Sequence, residues 1–119
     1  MITPLSPLPG LSNTVTIDAA TQPGFSGQPI IELNGANAGP NANGLVIRSD
    51  GCVVRGLVIN QFRASGIDLV GSAARIEGNY IGTDRAGRVA LSNSFNGIQL
   101  TGMNNRIGGT TASARNIIA

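Results

Sequence analysis

Apolar residues recur along this chain in short, evenly spaced pairs. Leu45 and Ile47, Ile67 and Leu69, and Ile98 and Leu100 are each separated by one residue, and each pair directly follows a glycine, Gly44, Gly66 or Gly97. Alternation of this length predicts short half-buried strands rather than helices. A second apolar position follows at Val54, Ile76 and Ile107, and a third strand recurs as Leu57-Val58-Ile59, Asn79-Tyr80-Ile81 and Asn116-Ile117-Ile118. Turn residues fill the intervals, so the pattern predicts many brief strands joined by tight corners.

These features form a repeat. The segments GLVIRSDGCVVRG (44–56), GIDLVGSAARIEG (66–78) and GIQLTGMNNRIGG (97–109) align without gaps. Gly44 to Gly66 spans 22 residues and Gly66 to Gly97 spans 31, the difference being an insertion over 85–93. A unit this short cannot bury its own apolar side, but stacked units can, with strands of successive units pairing in parallel about 4.8 Å apart. The expected architecture is all-β, a solenoid of about four turns of roughly 22 residues. It forms a single domain over 1–119, with a lead-in at 1–14 and stacked turns over 15–118. Extending the register backwards places Val15-Thr16-Ile17-Asp18 under Leu45-Val46-Ile47-Arg48, and Ile31-Glu32 under Val54-Arg55. The inward ladders are then Val15/Leu45/Ile67/Ile98, Ile17/Ile47/Leu69/Leu100, Ile31/Val54/Ile76/Ile107 and Ile59/Ile81/Ile118. Loops 19–28 and 36–43 become corners or excursions.

Composition agrees with corners in abundance. Glycine and asparagine, 17 and 12 residues, make up roughly a quarter of the chain, which the pattern explains by corners that need positive φ. Charged residues are 12%, against about 25% in an average domain, too few for the polar face of a helical bundle. No apolar run reaches the length of a membrane span, and no signal-peptide pattern follows Met1.

The net charge of +2 arises from eight arginines and six acids, and the arginines are scattered rather than gathered in a stripe with stacking aromatics. Nucleic acid is therefore not an expected partner. Cys52 stands alone, and the absence of histidine removes Ser/His/Asp and Cys/His catalysis and the usual Cys/His zinc sites. No cofactor is expected.

The stretches VVRGLVINQF, GNYIGTD and NNRIGGTTASARNII, with their Gly-x-x-Ile turns, resemble the repeat of right-handed parallel β-helices of the pectate-lyase-like superfamily. Within it they are similar to large secreted bacterial and archaeal repeat proteins. The opening ITPLSPLPGLSNTVTIDAATQPGFSGQPIIELNG is similar to the segment that leads into such helices. The resemblance spans the whole chain and implies a right-handed β-helix and a secreted or cell-surface location. It implies little about activity, since the fold hosts lyases, hydrolases, isomerases and adhesins. Lyases of this superfamily hold Ca²⁺ between stacked acids and its hydrolases use paired carboxylates, so both need acids converging on one face. Here Asp50, Asp68, Glu77 and Asp84 fall at different offsets from their repeat glycines. No catalytic or metal-binding residue is carried over.

The outward positions offer structural ladders first. Glu32, Arg55 and Glu77 are expected to stack with alternating sign and Asp18 to stack with Arg48, each opposite-charge pair stabilising by roughly 0.2–1 kcal/mol. Arg75 under Arg106 and Arg63 under Arg85 bring like charges together at two corners, where an anion could sit. Candidate surface-binding residues are Asp68 with Gln99 on an open strand face, Asp84 with Arg85 at the lip of the insertion, and Tyr80. The four scattered aromatic rings do not form a carbohydrate-binding row. The pattern halts at RNIIA in mid-turn, so Asn116, Ile117 and Ile118 are expected to form an edge that pairs with a second copy of the chain or with further turns of a longer protein. The expected function is a non-catalytic β-helix module, a rigid scaffold or recognition surface that self-associates into dimers or higher species, with polysaccharide as a further partner. The alternative is part of a polysaccharide lyase or hydrolase whose catalytic turns lie outside this chain.

Overall fold

The structure is a computed structural model that describes residues 1–25 and 28–119. Its strands are β1 (Thr16–Asp18), β2 (Ile31–Asn34), β3 (Leu45–Ile47), β4 (Val53–Arg55), β5 (Leu57–Asn60), β6 (Ile67–Leu69), β7 (Arg75–Glu77), β8 (Tyr80–Ile81), β9 (Ile98–Leu100), β10 (Arg106–Ile107) and β11 (Ile117–Ile118). Short 3-10 turns at Ala19–Thr21 and Ala112–Ala114 are the only helical elements among the described residues. The protein is all-β.

Every strand pair is parallel, and the strands form three sheets ordered β1-β4-β7-β10, β2-β5-β8-β11 and β3-β6-β9. Each strand thus pairs with the one three places further on, and the chain visits the sheets in rotation, an arrangement compatible with a solenoid. The core is the inward row of each sheet. Leu45, Ile67 and Ile98 share one row and Ile47, Leu69 and Leu100 the next. Val54, Ile76 and Ile107 align in the β1-β4-β7-β10 sheet, and Ile59, Ile81 and Ile118 in the β2-β5-β8-β11 sheet. The middle members, such as Ile67, Leu69, Ile76 and Ile81, are wholly buried, each stabilising the fold by about 1.5–3 kcal/mol relative to exposure.

Polar side chains lock the layers together at the same spacing. The Leu57 N–H donates to Asn79 Oδ1, Ser65 N–H to Asn43 Oδ1 and Ser72 N–H to Asp50 Oδ1, all across 22 residues. Past the insertion the separation becomes 31, with Phe62 N–H donating to Asn93 Oδ1 and Ala74 N–H to Asn105 Oδ1. The abundance of asparagine therefore has a different cause from the one expected. Among the described residues only Asn104 of the asparagines has positive φ; the others named here satisfy corner N–H groups that no strand pairs.

The expected register of the opening segment is corrected. Thr16, Ile17 and Asp18 pair with Val53, Val54 and Arg55, not with Val46, Ile47 and Arg48, and Ile31-Glu32 pairs with Leu57-Val58, not with Val54-Arg55. Alternation cannot distinguish one apolar sheet from another; two observations account for the outcome. Asp18 finds the Arg55 guanidinium at 3.1 Å, and the place beneath Ile47 is already filled by Leu11. Leu11 bridges Ile47 as a single residue, with its N–H donating to Val46 O at 2.8 Å and Arg48 N–H donating to its own carbonyl at 2.9 Å. Ile2 bridges Leu33 in the same way. Pro4, Pro7 and Pro9 surround these bridges and keep them from growing into strands, since proline donates no ladder hydrogen bond. Arg48 lies against Gly10 instead of Asp18.

The insertion leaves the stack as a small antiparallel excursion in which Thr83 bridges Ala90. Of the expected corner 19–28, residues 26 and 27 lie outside the described residues.

Candidate functional site

The connection from the β1-β4-β7-β10 sheet to the β2-β5-β8-β11 sheet is made in two ways. After β4 and β7 it is short, turning on Gly56 and on Gly78-Asn79, with φ of 77° and 69° at the glycines. After β1 and β10 it is long, the described parts being residues 19–25 and 28–30 after β1 and 108–116 after β10. Side chains at the short corners would collide with the long ones: a Cβ at Gly56 would lie 2.8 Å from Ala20 N, and one at Gly78 the same distance from Ser113 O. The two excursions lie close to the bare glycine corners and, with them, line a cleft of about 700 Å³. Ala20 and Phe25 come from one excursion and Thr110–Arg115 from the other, with Arg55, Arg75, Glu77, Tyr80 and Arg106 contributed by the strands.

The far excursion is held firmly. Asn116 Oδ1 accepts from Asn79 N–H at 2.9 Å and its Nδ2 donates to Ile76 O at 2.8 Å. Gly78 N–H donates to Ala114 O at 3.3 Å, and Ala114 is buried.

Within the cleft Arg55 is saturated. Its Nε donates to Glu77 Oε1 at 2.9 Å, a second guanidinium nitrogen also meets Glu77 Oε1, and a third donates to Asp18 Oδ2 at 3.1 Å. The hydrogen bond to Glu77, opposed by the cost of burial and helped by Asp18, holds Arg55 above its ordinary range. The expected alternation along this row holds for Arg55 and Glu77; its third member is Asp18, while Glu32 instead accepts from Asn60 Nδ2 at 2.9 Å in another sheet. Arg75 reaches Glu77 only at 3.7 Å, and Arg106 sits directly beside Arg75 in the ladder. Among the described residues neither Arg106 nor Arg115 has a carboxylate within 4 Å. The cleft is rich in donors and cation, and Glu77, the one acid among its described lining residues, is occupied.

The residues singled out from the sequence are dispersed. Asp68 pairs with Gln99 across β6 and β9, both half-buried, and Ser65 Oγ lies 3.5 Å from Gln99 Oε1. Asp84 closes the insertion: its Oδ1 accepts from Arg88 N–H at 3.0 Å and Val89 N–H at 3.3 Å. Those N–H groups, Arg88 first, hold its carboxyl below the usual carboxylate range. Arg85 is exposed beside it. Tyr80 alone of this set lines the cleft, where its ring lies close to Gly87 and Ile117 stands next to it in the ladder. Asn116 and Ile117 line the two sides of the far excursion, and Ile118, at the outer edge of its sheet, is 48% exposed. Arg115, Thr110, Thr111 and Ser113 escaped the sequence reading. Their signal was the lengthened corner before Asn116, which falls at the same place in the repeat as the lengthened corner after Asp18. No group of three or more metal-ligating His, Cys, Asp or Glu side chains occurs among the described residues.

Comparison with family models, with curated proteins and with solved structures finds no match to this chain.

Proposed function

We propose that the chain is a right-handed parallel β-helix of about four turns of roughly 22 residues, serving as a non-catalytic scaffold and recognition surface in a secreted or surface protein. The observation that carries this reading is the commitment of four corner asparagines to holding layers together. Asn79, Asn93, Asn105 and Asn116 each bond an N–H of a neighbouring layer with one end of the amide and a carbonyl with the other. Such bonding favours a stiff, regular rod that presents its corners. Right-handedness is favoured because parallel strands joined by crossovers adopt that hand almost universally. The resemblance to pectate-lyase-like repeat proteins supports the location outside the cell.

Self-association with a second copy belongs to the same reading. Strands β9, β10 and β11 form the outer edge of all three sheets, and Leu100, Met103 and Ile118 are 49%, 70% and 48% exposed there. Open parallel edges flanked by apolar side chains favour pairing. Light scattering over a concentration series, at ordinary and high salt, tests this: mass that grows with concentration supports pairing, and a clean monomer throughout overturns it. Release of unsaturated products or new reducing ends from acidic polysaccharides would overturn the non-catalytic part.

A further inference from the structure

The cleft between the two excursions carries more positive charge than the fold uses. Its lining holds Arg55, Arg75, Arg106 and Arg115 against Glu77, four cations and one anion, a balance of +3. Arg55 and Glu77 consume each other. Arg75, only 3.7 Å from the Glu77 carboxylate, and Arg106 lie directly opposite on neighbouring parallel strands, and like charges so placed destabilise a sheet. Arg115 adds a third guanidinium from the 108–116 excursion without a carboxylate within 4 Å among the described residues.

We infer that this cleft binds a tetrahedral oxyanion ester, a phosphate or sulfate monoester carried on an organic group of sugar size. A carboxylate offers two oxygens and is satisfied by one guanidinium fork, whereas an ester oxyanion offers three terminal oxygens and suits several forks at once. The hydroxyls of Thr110, Thr111 and Ser113, all in the lining, supply further donors. Phe25, Tyr80 and Ile117 give the attached group an apolar wall. The volume, about 700 Å³, lies in the ordinary range of small-molecule sites, about 300–1,000 Å³. Binding also relieves the repulsion between Arg75 and Arg106, so the anion stabilises the fold.

The inference rests on the reading of the chain as a recognition scaffold, and its test separates the two. Titration calorimetry on the full chain uses glucose 6-phosphate, glucose 6-sulfate and glucuronate, with inorganic phosphate and sulfate as minimal probes. One ester is expected to bind saturably, with glucuronate about tenfold weaker or more; the preferred ester identifies the source of the oxyanion. Arg75→Gln and Arg106→Gln are each expected to weaken binding about tenfold, while Arg63→Gln, at an exposed residue outside the cleft, leaves it unchanged. Thermal melting of each variant is followed alongside. No saturable binding by a parent that melts cooperatively overturns the site and leaves the scaffold standing. Equal loss in Arg63→Gln, or glucuronate bound as tightly as the esters, also overturns the site. Cleavage of the bound ester would overturn the scaffold reading and leave the site.

Discussion

Asn116 repeats, one layer on, the bonds that Asn79 makes. Asn79 Oδ1 accepts from Leu57 N–H and its Nδ2 donates to Val54 O, at 2.9 and 3.1 Å; Asn116 Oδ1 accepts from Asn79 N–H and its Nδ2 donates to Ile76 O, at 2.9 and 2.8 Å. Each amide therefore sits over the corner of the layer before it and closes that corner's open N–H and C=O. Asn79 is wholly buried and Asn116 half-buried. Asn79→Ala leaves the Leu57 N–H and Val54 carbonyl unpaired inside the protein, at about 1–3 kcal/mol for each buried group. Asn116 is itself half-buried, so in Asn116→Ala water can take the place of the lost amide and the cost is smaller. Urea midpoints of the two variants check this ordering, and equal losses would contradict it.

The repeat glycines obey a steric rule rather than a conformational one. None of Gly44, Gly66 and Gly97 has positive φ. A Cβ at Gly66 would stand 2.8 Å from Gly97 O and 2.9 Å from Ile81 Cγ2, and one at Gly44 would strike Gly66 O and Ile59 in the same way. Gly66→Ala must push apart two layers and the isoleucine row, so the expected loss is about 1–3 kcal/mol. Gly108 is the opposite case. Its φ is 85° but the nearest atom to its Cβ position, Ala114 O, is 3.7 Å away, and asparagine tolerates that conformation. Gly108→Asn is expected to lie within about 1 kcal/mol of the parent. Chemical denaturation of both variants decides, and a larger loss at Gly108 than at Gly66 would refute the distinction.

Those two rules explain what could be read from the chain. The spacing of Gly44, Gly66 and Gly97 and of the inward residues Val54, Ile76 and Ile107 is imposed by layer contact, so it is written directly into the sequence. The polar bonds across 22 residues obey the same period. The opening layer is not legible in the same way because Leu11 and Ile2 enter their sheets as single residues, too short to show any alternation. The strand Thr16–Asp18 then fits two sheets equally well by hydropathy, and what separates them is the partner of Asp18 together with Leu11 in the place beneath Ile47. The cleft was legible in fragments. Arg75 beside Arg106 follows from the repeat, but Arg115 and the hydroxyls lie on an excursion whose path depends on Gly56 and Gly78 being bare.

The Asp18–Arg55–Glu77 row is coupled rather than additive. Glu77 is buried and Arg55 is about one third exposed, so removing the cation strands an anion inside while removing both does not. Arg55→Met is expected to cost about 1.5–3 kcal/mol, the range for hydrogen bonds to charged groups. Adding Glu77→Leu is expected to restore much of it. Because Arg55 is raised above its unfolded value, its contribution is complete below that value and fades only in strong base. The clamp's cation is thus intact through the acidic and neutral range. A double-mutant cycle in denaturant measures the coupling, and strictly additive losses would refute it.

Asp84 has the opposite sign. Its carboxyl is held below the ordinary value of 3.8 by the N–H groups of Arg88 and Val89, so what it contributes to the insertion is present above that value and disappears as pH falls through the lower, folded one. The group is half-buried on the insertion, and its effect belongs to the excursion rather than to the stack. The amide resonances of Arg88 and Val89 are expected to move together between neutral and strongly acidic pH, with a midpoint below 3.8. Leu57 and Phe62, whose N–H groups are bonded to asparagines elsewhere, should not follow them. Asp84→Asn keeps an acceptor oxygen but cannot titrate, so it should abolish the transition in both amides while leaving the melting of the stack unchanged. A midpoint at or above the ordinary carboxylate value, or a transition that survives the substitution, would show that another group governs the loop.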